Sequence, residues 1–381
     1  MPSPASSPDS PDSRPDSRPD PRPEASPAPV ARLDALRTLP ARRPLVRRLL
    51  RLARWLLTLA ATFAGLLALT FVIGRKVPID PVLAVLGDRA SAAAYAAERA
   101  ALGLDRPLAE QFLIYVRAVL HGDLGVSLLT ANPVRDDILR VFPATLELAT
   151  LATLIGIGIG VPLGVAAAVR HNGPVDHLAR FVGLIGSSVP VFWLGLMGLL
   201  LFYAKLHWVG GPGRIDAAYD GMVDARTGSL LIDAALAGEW EVFRNALSHV
   251  ALPAAILGYY SVAYLSRMTR SFMLDQLGQE YIVTARAKGV PERRVIWRHA
   301  FGNIAVPLLT VIALTYSNLL EGSVLTEIVF AWPGIGSYLT GALLNADMNA
   351  VLGATLVIGA MFITLNLLTD ALYRVFDPRA R

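Results

Sequence analysis

Apolar residues gather along this chain into six long blocks separated by polar connections. The blocks run approximately from Trp55 to Gly74, Ala144 to Val169, Leu178 to Ala204, His249 to Ser266, Ile304 to Leu320 and Ala350 to Thr369, and the first carries no ionisable side chain. About 20 residues rising ~1.5 Å each match the hydrocarbon layer of a bilayer. Lipid offers no partner for a free backbone group, so each block is expected to cross as a helix. The pattern predicts an all-α integral membrane protein with six transmembrane helices.

The connections differ in sign. Six crossings leave both termini on one side, and the connections that fall there are basic: Arg42, Arg43, Arg47, Arg48, Arg51 and Arg54 before the first block, then Arg170 to Arg180, Arg267 to His299, and an ending with Arg374, Arg379 and Arg381. The positive-inside rule makes that side cytoplasmic. The opposite side receives Arg75 to Pro143, Lys205 to Ser248 and Trp332 to Asn349, of which the second is acidic through Asp216, Asp220, Asp224, Asp233, Glu239 and Glu241. Within the first, Leu104-Asp-Arg-Pro-Leu108 is followed by apolar residues at helical spacing through Val119, which predicts a folded helical insert outside the membrane. Pro143 is expected to open the second span, with Glu147 offsetting the positive end of that helix.

Composition removes several classes of function. Of the 381 residues, 54% are hydrophobic and 17% charged, too little polar material to coat a soluble globule. The formal charge of +5 sits at the ends of spans and does not indicate nucleic acid. With no cysteine, disulfides and thiol catalysis are excluded. The first ~45 residues are rich in Pro, Ser, Asp and Arg and repeat Ser13-Arg-Pro-Asp as Ser17-Arg-Pro-Asp, which reads as a disordered tail, too long and polar for a signal peptide.

One cytoplasmic connection, Gln279 to His299, has a pattern of its own. Gln279 to Lys288 is helix-compatible, Gly289 suits the left-handed ending of a helix, and Pro291 with Glu292 suits the start of the next. Two short helices joined by a tight turn are expected. On the first, Tyr281, Ala285 and Lys288 share a face that suits docking into a protein groove.

Here the sequence resembles the permeases of ABC importers, whose Ala-x-x-x-Gly core docks into a cleft on the ATPase; Ala285 and Gly289 match that core. The longer run Tyr281-Ile-Val-Thr-Ala-Arg-Ala-Lys-Gly289 is similar to that of B-type permease subunits of dipeptide and oligopeptide importers. The resemblance continues through Leu102 to Leu108, Gly122-Asp-Leu-Gly-Val-Ser127, Pro143-Ala-Thr-Leu146, Ser188-Val-Pro-Val-Phe192, His249-Val-Ala-Leu-Pro253, Phe330-Ala-Trp-Pro-Gly-Ile-Gly336, Asn366 with Asp370, and Asp377-Pro-Arg379. It departs at Asn345-Ala-Asp-Met-Asn349, where Arg-Asp and then Pro is expected, and at Glu321, where a small residue is expected.

The resemblance implies the type I importer permease fold and a division into a disordered cytoplasmic tail (1–45), a first transmembrane helix (46–76), an extracytoplasmic insert (77–140) and a transmembrane domain (141–374). The last holds five helices and the cytoplasmic coupling loop 270–303. It implies a bacterial inner-membrane location, with both termini cytoplasmic. Its partners would be a second homologous permease, two ATP-binding subunits carrying ATP and Mg, an extracytoplasmic solute-binding protein and a peptide substrate, with no cofactor and no catalysis on this chain. ATPase coupling falls to Glu280, Tyr281, Thr284, Ala285, Arg286, Ala287, Lys288 and Gly289. Nickel, glutathione or another small solute is the alternative cargo.

Other readings fit less of the chain. Lys76, Lys205 and Lys288 stand in no Gly-x-x-x-x-Gly-Lys loop, so ATP must be hydrolysed elsewhere. A secondary transporter working without ATP would place ionisable groups at mid-membrane, and the blocks have essentially none. An intramembrane protease finds no His-Glu-x-x-His and no nucleophile turn. Gly156, Gly160 and Gly164 have the small-x-x-x-small spacing of close helix packing. His249 suits positioning rather than a metal, and Glu321 suits the aqueous outer interface. Arg293, Arg294 and Arg298 fit topology charge and ATPase contact equally.

Overall fold

The computed structural model describes residues 44–76, 81–87, 91–101 and 103–376. The tail expected over 1–45, apart from its last two residues, and the ending at Asp377 lie outside them. Two compact units divide the chain, Met1–Ala60 and Ala61–Arg381.

Helix α1 (Pro44–Lys76) is followed by three shorter ones, α2 (Pro81–Leu86), α3 (Ala92–Ala101) and α4 (Leu108–Leu120). α4 is the helix anticipated after Pro107. Its Tyr115 hydroxyl lies 2.9 Å from Thr70 Oγ1, joining the insert to α1.

The remaining spans are α5 (Val134–Val169), the pair α6 (Pro174–Ser188) and α7 (Val191–Lys205), α9 (Trp240–Leu277), α11 (Glu292–Gly322) and α14 (Met348–Phe376). Among the described residues five helices are long and apolar enough to cross a membrane, or six with the bent pair as one span. The pair is bent by 97°, so the third block is two helices rather than one. Pro190 causes the break: it disfavours helical backbone at Val189, which is extended (φ −98°, ψ 126°).

Pro143 does not open the second span. It lies inside α5, which begins at Val134 after Pro133, and the first turn carries Asp136 and Asp137 instead of Glu147. Between the spans, short helices α8 (Leu230–Ala237), α12 (Val324–Val329) and α13 (Ile335–Leu344) fill the connections, so the segment between the last two spans is a helical hairpin and not a plain loop.

α9 is the central helix, with 67% of its apolar stretch buried, and it packs against α5, α6, α7, α8 and α11. Its contact with α5 depends on glycine. A Cβ at Gly160 would stand 2.9 Å from the Val262 carbonyl oxygen, and one at Gly164 2.5 Å from that of Ser266. At Gly156 a Cβ would overlap the Ser261 side chain. The expected glycine packing therefore has its partner in α9. Gly156–Gly160 is also a π-helical segment, one wide turn within α5.

Candidate functional site

The turn between the fourth and fifth spans is built on α10 (Glu280–Ala287), which follows Gln279. Ile282 is fully buried among Met273, Val295, Ala300 and Ile304, pinning α10 to the ends of α9 and α11. The Tyr281 hydroxyl donates to Gln276 Oε1 (2.8 Å) and accepts from Asn303 Nδ2 (2.8 Å), adding a polar tie to each of the same two helices.

α10 ends in a Schellman cap. The Val290 N–H donates to the Ala285 carbonyl (3.1 Å) and the Gly289 N–H to that of Arg286 (2.9 Å), with Gly289 at φ +74°. The Ala-x-x-x-Gly spacing thus has a physical basis. Gly289 supplies the left-handed residue, Ala285 supplies the far acceptor, and Ala285 and Val290 pack together against the inner core. Across the turn Arg286 donates to Glu292 through Nε (3.2 Å) and Nη2 (2.6 Å), which raises the Arg286 guanidinium pKa above its ordinary range.

Two expectations change here. The second short helix is not separate: Glu292 begins α11, which runs without a break through a π-helical stretch at Val295–Ala300 into the fifth span. The face Tyr281, Ala285, Lys288 is not wholly free either, because Tyr281 is tied to its neighbours and Ala285 is partly buried. Glu280, Thr284, Arg286, Ala287, Lys288 and Gly289 are exposed. Val283, not singled out by sequence, is 60% exposed on the same tip, four residues before Ala287. Its signal was an unpaired apolar residue among polar ones.

At the other end of the spans, buried carboxylates fasten the connecting segments to them. Glu147, expected to serve its own helix end, accepts from Arg214 Nε (3.1 Å), Ser229 Oγ (2.7 Å) and the Leu231 N–H (3.1 Å). Arg214 also donates to the Gly228 carbonyl and stacks 5.8 Å from the Trp332 ring centroid. Glu327, wholly buried, accepts from Thr145 Oγ1 (2.7 Å), Ser323 Oγ (3.0 Å) and the Ser337 N–H (2.9 Å). Trp332 Nε1–H donates to the Ala144 carbonyl (2.9 Å).

Asp347, within the departing segment, is wholly buried and accepts from Ser127 Oγ (2.6 Å) and from the N–H groups of Leu129 and Ala350. Its role is to hold the insert. Glu321 is exposed. His249 is buried, with Nδ1 2.9 Å from the Asn245 carbonyl oxygen and Nε2 3.3 Å from Asp216, a positioning contact. Asp233 is also buried, which alone would raise its carboxyl; hydrogen bonds from Thr227, Gly228 and Arg226 outweigh that and hold it below the ordinary range.

Comparison with known proteins shows the family. The family described as binding-protein-dependent transport system inner membrane component matches residues 160–381, and its N-terminal companion matches 43–149. The probable D,D-dipeptide transport system permease protein DdpB of Escherichia coli (strain K12) is 44% identical over 331 residues, 87% of this chain and 96% of that protein. The dipeptide transport system permease protein DppB of the same strain is 43% identical, covering 84% of this chain and 95% of its own length. The di/tripeptide transport system permease protein DppB of Pseudomonas aeruginosa (strain UCBPP-PA14) is 42% identical, covering 87% and 98%. An inward-facing structure of the MetNI methionine ABC transporter aligns with 63% of this chain and 96% of its own, at 16% identity and a TM-score of 0.46.

Proposed function

Because the chain belongs to the binding-protein-dependent transport system inner-membrane family, we propose that it is one permease subunit of an ABC importer for di- or oligopeptides. A second permease would complete the path across the inner membrane. Two ATP-binding subunits would dock from the cytoplasm and an external binding protein would deliver the solute. ATP and Mg belong to those ATP-binding subunits; this chain binds no cofactor and performs no chemistry. Both termini are cytoplasmic in this reading, and residues 77–140 face outward.

The observation that carries the reading is the capped turn from Ala285 to Gly289, on a helix fixed by Ile282 and Tyr281 to both adjoining spans. A load applied to the exposed tip (Glu280, Thr284, Arg286, Ala287, Lys288, Gly289) passes to α9 and α11 together, because α10 cannot move without them. Closure of the ATPases would then tilt those spans as rigid bodies and change which side of the membrane the path faces.

Uptake of labelled di- and tripeptides, in cells lacking and then regaining this chain, tests the assignment. Uptake should vanish with the chain, return with it, and be competed by unlabelled peptides. Peptide uptake that persists without the chain, or nickel uptake that depends on it while peptide uptake does not, overturns the substrate class.

A further inference from the structure

A cleft of about 240 Å³ opens between α6 and α9, lined by Ala179, Arg180, Gly183 and Leu184 on one side and Ser266, Arg267 and Arg270 on the other. It lies where the apolar runs of both helices end. On α6 the charged turn Asp176 to Arg180 gives way to Phe181 and beyond, and on α9 the run through Leu265 stops at Arg267. Such a position corresponds to the headgroup level of a bilayer.

The charges there do not balance. Asp176, fully buried, accepts from Arg270 Nε and Nη2, from Arg180 Nη2 (3.0 Å) and from the Asn172 N–H (2.9 Å), so one carboxylate serves two guanidiniums. Arg267 is exposed, lies 5.6 Å from the centroid of the Tyr264 ring, and among the described residues is in no ion pair. Three cations face one anion. The small residues Ala179 and Gly183, one turn apart, leave the space open, and Leu184 (64% exposed) with Phe181 (60% exposed) continues an apolar strip away from the arginines.

We propose that this cleft binds a phosphate-bearing anion, and that its source is an anionic phospholipid. The phosphate would lie against Arg267 and the outer edges of Arg180 and Arg270, with an acyl chain along Phe181 and Leu184. The apolar strip favours the lipid, since a free anion would leave it unused. Basic clefts between helices at the membrane surface suit such headgroups. The inference requires only that the chain lie in a bilayer, and does not depend on which solute is carried.

The test uses the full chain purified with its partner subunits in detergent, titrated with phosphatidylglycerol, phosphatidylcholine, inorganic phosphate or dialanine, with retained ligand read by native mass spectrometry. Phosphatidylglycerol should be retained in preference to phosphatidylcholine. Arg267→Ala should weaken retention about five-fold, and Gly183→Leu should do likewise by filling the cleft. Both variants leave the Asp176–Arg270 pair intact, and a Cβ at Gly183 meets only the Ala263 carbonyl at 3.8 Å, so folding should survive; size-exclusion profiles verify this. Equal retention by the parent and both variants overturns the site. Retention of inorganic phosphate but not of phosphatidylglycerol overturns the lipid source, and displacement by dialanine assigns the cleft to the solute and overturns the proposal.

Discussion

The hydroxyl of Tyr281 lies 2.8 Å from Nδ2 of Asn303, joining the short helix α10 to the fifth span across 22 residues of chain. The same oxygen donates to Gln276 at the end of the fourth. One phenol therefore connects three helices.

Tyr281→Phe should leave membrane insertion intact, because Ile282 still anchors α10. Two exposed hydrogen bonds contribute ~0.5–1.5 kcal/mol each at most, so the loss should appear in transmission rather than in folding. The measurement is solute moved per ATP hydrolysed by the reconstituted complex. The ratio should fall while ATP hydrolysis persists, and an unchanged ratio removes Tyr281 from the coupling path.

At Gly289 the backbone sits at φ +74°, and nothing stands within 4 Å of an added Cβ. Conformation, and not space within this chain, is therefore what restricts the site. A left-handed residue with a side chain costs ~1–2 kcal/mol, least for Asn and most for a β-branched residue. Uptake should fall in the order Gly, Asn, Ala, Val. If Ala outperforms Asn, the size of the side chain against a partner matters more than the turn.

Glu327→Gln should cost ~1–3 kcal/mol, because the carboxamide nitrogen replaces one acceptor and forfeits either the Ser337 N–H bond at Oε2 or the Thr145 and Ser323 bonds at Oε1. Glu321→Gln, on an exposed side chain, should lie within ~0.5 kcal/mol of the parent. Thermal unfolding of the purified complex separates the two, and equal effects would remove the distinction between buried and exposed carboxylate.

Asp233 carries a pH dependence. Its folded pKa is depressed, so the stability it contributes is fully present above its unfolded value of about 3.9 and is lost as pH falls through the folded value. Protection of the Thr227 and Gly228 amides, corrected for intrinsic exchange, should hold from neutral pH down to about 4 and decline below. Asp233→Asn should lower protection at pH 7 and flatten that decline. A parent profile already flat would refute the assignment.

The spans were legible because a bilayer imposes a length of unbroken apolar sequence, and the glycines of α5 because close helix contact imposes a spacing. The Gly289 turn was legible for a related reason, since a left-handed cap restricts the residue types that end a helix. What sequence did not disclose depends on partners far along the chain. Glu147 has the residues to serve a helix end, but its cation is 67 residues away. Asp347 stood out only as part of a departure from the family pattern, yet its hydroxyl donor, Ser127, lies 220 residues upstream. Pro143 reads locally as a helix start, while α5 had already begun at Val134. For Glu147 and Asp347 tertiary hydrogen bonds, invisible at short range, decide the role, and for Pro143 the earlier helix start at Val134 does.

The wide turn at Gly156–Gly160 has a consequence for how this chain tolerates length changes. Each residue advances an α-helix by about 100°, so the outer half of α5 is aimed at its neighbours by the residue count between Glu147 and Gly164. Closing that wide turn into regular α-helix with no residue removed would swing Glu147 about a quarter-turn away from Arg214 while Gly164 stayed against Ser266, and removing one residue at the same time would cancel the swing. Without that compensation the segments held through Arg214, Ser229 and Leu231 would lose their anchor. This stretch of helix therefore acts as a ruler in which residue count and turn width must change together.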